Sequence, residues 1–172
     1  MRIAALDIGS NSLHLLVVEA HPDGTFTPLV REKEMLRLGD VVSRSGVLTD
    51  AATEGMLATV RRFKALARSA GADEIVAKAT AALRDADNSA QVVDRVEAET
   101  GVLVEVISGK DEARLIFAAV RGSVMISPAP ALCADLGGGS LELTVGDAGG
   151  MLWSASVKLG VARLTAELVR AD

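Results

Sequence analysis

One stretch occurs twice in this chain. Asp7-Ile8-Gly9-Ser10-Asn11-Ser12-Leu13-His14-Leu15 and Asp135-Leu136-Gly137-Gly138-Gly139-Ser140-Leu141-Glu142-Leu143 align without a gap. The alignment pairs Asp7 with Asp135, Gly9 with Gly137, Ser12 with Ser140, Leu13 with Leu141 and Leu15 with Leu143, which is an internal repeat. In each copy an apolar run enters and an alternating run leaves, so the glycine-bearing residues read as a tight turn between two β-strands. Glycine admits backbone conformations closed to other residues and lets N–H groups approach a bulky anion. A lone Asp-x-Gly turn usually marks an ordinary hairpin. Two copies in one register read instead as two lobes presenting facing phosphate loops.

The chain has 172 residues, 49% hydrophobic and 24% charged, enough for a real core and too apolar for disorder. Its single cysteine, Cys133, rules out an internal disulfide framework and reads as a buried core residue. Asp7 and the polar residues after Gly9 interrupt the N-terminal apolar run too early for a signal peptide, and no later segment has the length of a membrane span. A cytoplasmic protein is expected. The net charge of -5 argues against broad attraction to nucleic acid or membrane. A polyanionic ligand would have to be met locally, by loop N–H groups, a few arginines and a divalent metal.

Strands are expected over residues 2–7 and 12–20, then, after the turn His21-Pro22-Asp23-Gly24, an extended segment from Thr25 to Leu38. From Asp50, read as an N-cap, Met56, Val60, Phe63, Ala67 and Ala70 recur at helical spacing as far as Gly71. A strand follows over Glu74 to Ala79, a helix over Ala90 to Glu99 and a strand over Val102 to Ile107. Ser108, with Asp111 three residues on, opens a further helix by a capping-box pattern. Ser127-Pro128-Ala129-Pro130 breaks the periodicity. The lobe boundary is placed there, giving a first lobe over residues 1–126 and the start of a second over residues 127–172. A hairpin across Gly146 to Gly150, a strand through Trp153 and Val157, and a helix from about Val161 to the end complete the second lobe. It holds too little apolar surface for an independent core, so further residues or a partner chain, such as a second copy in a homodimer, are expected to complete it.

In this order the elements and blocks resemble the actin-like, sugar kinase and heat-shock ATPase superfamily, and within it the exopolyphosphatase and guanosine pentaphosphate phosphatase (Ppx/GppA) family. The blocks are Asp7 to Ser12, Arg37-Leu38-Gly39, Ala79 to Arg84, Ile107-Ser108-Gly109-Lys110-Asp111-Glu112-Ala113-Arg114-Leu115, Asp135 to Glu142, and Leu159-Gly160-Val161-Ala162-Arg163-Leu164-Thr165. Sugar kinases and actin-like ATPases share the two loops but lack the Ser-Gly-x-x-Glu-Ala block. The resemblance implies an α/β fold of the ribonuclease H-like, actin-like ATPase type. Its first lobe would be a mixed five-stranded sheet flanked by helices, followed by the beginning of a second, similar lobe. It also implies hydrolysis of a terminal phosphoanhydride, in inorganic polyphosphate or in the 5′-triphosphate of guanosine pentaphosphate.

The resemblance makes Glu112 the general base that activates water, and puts Mg²⁺ on Asp135 and Glu142, whose hard carboxylate oxygens suit that ion. Gly9, Ser10, Asn11 and Ser12 in one loop, and Gly137, Gly138, Gly139 and Ser140 in the other, would hold phosphates through backbone N–H and hydroxyl donors. Arg84 is the candidate phosphate-binding guanidinium, with Arg37 and Arg163 as weaker ones. Asp7 either assists through water or shapes its turn. His14 faces outward in the strand pattern and reads as structural. Two other classes compete with a hydrolase: a non-catalytic polyphosphate or alarmone-binding module, and an actin-like ATPase or sugar kinase relative. A pure binding module has no need of Glu112.

Overall fold

The structure, a computed structural model, describes residues 1–169. It divides into two compact units, Met1–Val106 and the residues from Ile107 on.

In the first unit, β1 (Arg2–Ile8), β2 (Ser12–Ala20) and β3 (Phe26–Met35) form an antiparallel meander, followed by α1 (Leu38–Ser45) and α2 (Asp50–Ser69). Then come β4 (Glu74–Ala79), the short α3 (Ala81–Asp85), α4 (Ser89–Thr100) and β5 (Val104–Val106). The sheet order is β3-β2-β1-β4-β5, with β4 parallel to β1 and β5 parallel to β4, so it is the expected mixed five-stranded sheet. Period-two alternation puts Ala4, Leu6 and Ile8 of β1 and Leu13, Leu15 and Val17 of β2 on one face. Met56, Leu57, Val60, Phe63 and Ala67 of α2 and Val92 and Val96 of α4 complete the buried cluster. Outside this core, Arg61 of α2 and Arg95 of α4 both pair with Glu99, and Arg95 holds the Glu99 carboxyl below the usual carboxylate range.

The helix beginning at Asp50 is present, but its N-cap is Thr49, whose hydroxyl accepts from the Ala52 N–H. Asp50 sits instead in the first turn, where a carboxylate suits the helix macrodipole. The segment expected to stay extended to Leu38 ends earlier, at Met35. Arg37 turns the chain through a left-handed conformation (φ 51°) into α1. Neither α1 nor α3 is legible as periodicity, since each spans about two turns or fewer.

In the second unit, α5 (Gly109–Ser123) precedes β6 (Ala131–Leu136), β7 (Leu141–Asp147), β8 (Gly150–Val157) and α6 (Val161–Leu168). The sheet is an antiparallel meander in the order β6-β7-β8. The sequence places the lobe boundary after residue 126, whereas the compact units divide at Val106 and Ile107, because α5 packs on β7 and β8. Phe117 lies against Gly146, where any Cβ would collide with its ring. The hairpin expected across Gly146 to Gly150 is present, its turn tied by Asp147 Oδ1, which accepts from the Gly149 and Gly150 N–H groups. The last helix is expected to run to the end of the chain; residues 170–172 lie outside the described residues. Cys133, expected in the core, is only half-buried, because β6 is an edge strand among the described residues.

The repeat is thus structural: β6, β7 and β8 correspond to β1, β2 and β3. Its two copies differ in cover. The face of β1 and β2 that packs under α2 corresponds to Leu132, Ala134, Leu136, Leu141, Leu143 and Val145, which the register joins to Trp153, Ala155 and Val157. Leu132, Leu136 and Trp153 on that face are each more than half exposed. An apolar dye such as anilinonaphthalene sulfonate is expected to bind this chain. The pair Leu132→Glu and Trp153→Glu is expected to remove most of that fluorescence while leaving the far-ultraviolet circular dichroism unchanged; full dye binding by the variant would place the open apolar surface elsewhere.

Candidate active site

The two turns of the repeat share one hydrogen-bond plan. The Gly9 N–H donates to the Ser12 carbonyl at 3.1 Å, and the Gly137 N–H to the Ser140 carbonyl at 2.9 Å. In each, two adjacent carbonyls are tied at or just before the start of a following helix, Ser10 and Gly138 being the pair that correspond in the repeat. The Ser10 carbonyl accepts from Gly39 N–H (2.8 Å), and the Asn11 carbonyl from Leu36 (3.1 Å) and Arg37 (2.8 Å). The Gly137 and Gly138 carbonyls accept from Val161 and Ala162, both at 2.9 Å. A trans peptide points its C=O and N–H in opposite directions. Tying these carbonyls inward therefore aims the Asn11, Gly138 and Gly139 N–H groups outward, and none of the three donates to another backbone group among the described residues. Successive outward N–H groups, as at Gly138 and Gly139, form an anion-binding nest.

The ties also explain two blocks of the sequence. Arg37-Leu38-Gly39 and Lys158-Leu159-Gly160 occupy corresponding places in the repeat, each a basic residue, leucine and glycine at the entry to the helix that holds a loop. This second layer of the repeat was present in the sequence and is easily missed beside the Asp-x-Gly turns. Close approach requires its glycines: a Cβ on Gly39 would lie 2.9 Å from Ser10 Cβ, and one on Gly160 would collide with the Gly138 carbonyl and Gly139. Ser10 consequently offers the outer side only its backbone, its hydroxyl being buried and without a hydrogen-bond partner among the described residues.

Within the first unit, Arg84 stands at the same sheet edge as the first loop. Ile8 and Ala79 are register partners at the ends of β1 and β4, the Thr80 N–H donates to the Ile8 carbonyl, and Arg84 follows in the last turn of α3. Outside the carboxyl ends of parallel strands is where open α/β sheets gather their ligand sites.

Within the second unit, Asp135 and Glu142 are directly opposed across β6 and β7 and so project from one face. Asp135 is exposed, whereas Glu142 is only 2% exposed. The Ser156 hydroxyl donates to Glu142 Oε1 at 2.7 Å, while Oε2 is buried without a hydrogen-bond partner among the described residues. A buried carboxylate oxygen left unpartnered is costly, and a cation is the partner that best offsets the cost. Among the described residues no group of three or more His, Cys, Asp or Glu side chains is gathered for a metal. Two carboxylates fit Mg²⁺, which keeps several waters and takes few protein ligands.

Glu112 is half-buried in the first turn of α5, whose Ser108 N-cap accepts from the Asp111 N–H as expected. Two contacts fix the direction of α5 along the sheet: Phe117 on Gly146, and Arg121 Nη2 donating to the Ala148 carbonyl at 2.6 Å. Both helix and strand therefore run away from the Gly137 to Ser140 loop. Glu112 lies about 7 Å before Phe117 along the helix, and Glu142 about 13 Å before Gly146 along β7. The general-base candidate and the carboxylate pair thus share the loop end of this unit. Arg163 lies half-buried in the first turn of α6, the helix that ties this loop.

This chain combines a duplicated hairpin, its loop N–H groups turned outward, with a buried carboxylate and a helix-borne glutamate in one copy. At the level of fold it is similar to MreB5 of Spiroplasma citri (TM-score 0.51, 15% identity, covering 98% of this chain and 55% of that one). Residues 17–172 match the sequence pattern of the Ppx/GppA phosphatase family, and the chain belongs to that family. It is 42% identical to exopolyphosphatase 1 of Mycobacterium tuberculosis over all 172 residues, which is 50% of that relative. The crystal structure of an exopolyphosphatase from Cytophaga hutchinsonii superposes with a TM-score of 0.94 at 32% identity, covering 100% of this chain and 55% of that one. The chain spans about half the length of the relatives it matches.

If the loop binds phosphate as proposed below, Gly160→Ala is expected to displace the second loop and weaken tripolyphosphate binding by about 5- to 150-fold, since the added methyl meets backbone and overpacking of this kind costs about 1–3 kcal/mol. Gly39→Ala makes a less severe approach, 2.9 Å to Ser10 Cβ, and should cost less. Tripolyphosphate titrations of the two variants check this; equal and undiminished affinity would mean that the tied carbonyls do not shape the loops.

Proposed function

We propose that the chain carries the phosphate loops and water-activating base of a Mg²⁺-dependent hydrolase that releases terminal phosphate from inorganic polyphosphate. The 5′-triphosphate of guanosine pentaphosphate is the alternative substrate. The observation that carries this reading is the buried, half-partnered Glu142 carboxylate at the same end of its unit as the outward N–H groups of Gly138 and Gly139 and the Glu112 side chain. A pure binding module needs no general base.

In this reading the Gly138 and Gly139 N–H groups of the second unit hold phosphoryl oxygens and align the terminal phosphorus with an attacking water, while the Asn11 N–H group and Arg84 are the phosphate-holding groups of the first unit. Glu112 takes a proton from that water as its oxygen bonds to phosphorus and the bridging P–O bond breaks, releasing orthophosphate and the shortened chain. Asp135 and Glu142 would hold Mg²⁺, which when bound neutralises charge on the phosphate oxygens. Phosphoryl transfer leaves the protein mainly these tasks of positioning and charge stabilisation. No helix among the described residues is long and apolar enough to cross a membrane.

Phosphate release from long-chain polyphosphate and from guanosine pentaphosphate, with and without Mg²⁺, is the direct assay. Glu112→Gln is expected to lower turnover by about 10²–10⁴-fold, the usual range for a general base, with ligand affinity held within about tenfold. Equal loss of binding and turnover would exclude the base role. Asp135→Asn and Glu142→Gln are each expected to move the Mg²⁺ titration to higher concentration. An unmoved midpoint in both would exclude that metal pair.

A further inference from the structure

We propose that His14 is a positioning residue for the bound phosphate, acting through Ser12: its imidazole decides whether the Ser12 hydroxyl can donate to a phosphate oxygen. The proposal rests on the reading of the first loop as a phosphate loop.

Ser12 Oγ and His14 Nε2 are 2.8 Å apart. Ser12 is 7% exposed, so its hydroxyl has few alternative partners, whereas the His14 ring is exposed beside an open groove of about 430 Å³ lined also by Leu16, Phe26, Arg31 and Lys33. The repeat supplies a second, independent observation. His14 aligns with Glu142, and the cross-strand pair Asp7 and His14 corresponds to the pair Asp135 and Glu142. Where the second copy carries a carboxylate held by Ser156, the first carries an imidazole held to a loop hydroxyl.

A serine hydroxyl has one proton and two lone pairs. With no hydrogen on His14 Nε2, the Ser12 proton is committed to that nitrogen, and Ser12 offers an incoming phosphate only lone pairs, which repel it. With a hydrogen on Nε2, the imidazole donates to Oγ and the Ser12 proton is released to point at the phosphate. The charged groups around the ring are Asp7 from β1 and Lys33 from β3, with Arg31 two residues along the same face, Glu32 of β3 lining the same groove and Lys78 of β4 beside Asp7. An arriving polyanion favours the N–H form. Phosphate binding at the first loop is therefore coupled to a proton on His14 Nε2.

The test is the affinity of the chain for inorganic tripolyphosphate, by calorimetric titration at pH 6 and pH 8, for wild type, Ser12→Ala, His14→Ala, the double variant and His14→Arg. His14→Ala is expected to weaken binding about two- to tenfold, the range of one net hydrogen bond. The double variant is expected to bind no more weakly than Ser12→Ala, because the histidine acts through the serine. His14→Arg, a permanent donor, should restore binding. Additive single effects, or His14→Ala binding as tightly as wild type at both pH values, would overturn the proposal alone. Failure of the wild type to bind tripolyphosphate would overturn the phosphate reading and this proposal with it.

Discussion

Everything proposed for this chain depends on where the carbonyls of two short loops point. A glycine-rich turn by itself has no preferred ligand, because its peptides can rotate to present either oxygen or hydrogen. Here the rotation is settled by helix starts: Gly39 and Arg37 hold the first loop, and Val161 and Ala162 hold the second. Those N–H groups belong to first turns or to the residues leading into them, where no intrahelical acceptor competes for them. One set of bonds thus satisfies the helix ends and turns the loop N–H groups outward. Left-handed Arg37 belongs to the same arrangement, since its backbone N–H must reach Asn11 while the chain reverses from β3 into α1.

The electrostatics follow from the same constraint. A chain of net charge -5 cannot attract a polyanion by its overall field, so the polyanion of the proposed reading would have to be met at short range by fixed dipoles and a few placed cations. Backbone N–H groups suit this task, because they are held before the ligand arrives and no side-chain rotamer must be frozen. In the proposed reading the buried Glu142 oxygen, which has no hydrogen-bond partner among the described residues, is the complementary feature, the place for a cation. The first loop has His14 at the corresponding place, so the two halves of the repeat are alike in backbone plan and different in charge.

The two copies also show why one hairpin can be a finished structure or an open one. Around β1 and β2 the parallel strands β4 and β5 extend the sheet, and α2 buries Leu6, Leu13 and Leu15. Around β6 and β7 the corresponding Ala134, Leu141 and Leu143 have no such cover among the described residues, and the other face alone is packed, by α5 through Phe117. Burial of an apolar face contributes in proportion to the area removed from water. The second hairpin therefore draws much less stability from its side chains than the first.

The sequence by itself determined the repeat, the strand and helix order of the long elements, the Ser108 cap and the two glycine-bearing loops. These are written in local signals: alternation, helical spacing, capping residues and glycines at turns. It did not determine that α1 and α3 form, because short helices carry too few periods to be seen and are held by their neighbours. Nor did it reveal that Thr49 rather than Asp50 caps α2, that α5 joins the second unit, or that Cys133 lies on an edge strand. Those are questions of which surfaces meet, and residues far apart in the chain answer them. The same is true of the site. That Glu142 is buried with one oxygen unpartnered, that Glu112 stands at the loop end of α5, and that His14 touches Ser12 were decided by register and packing. A side chain's chemistry is local, but its solvation and its partners are set only when the chain has folded.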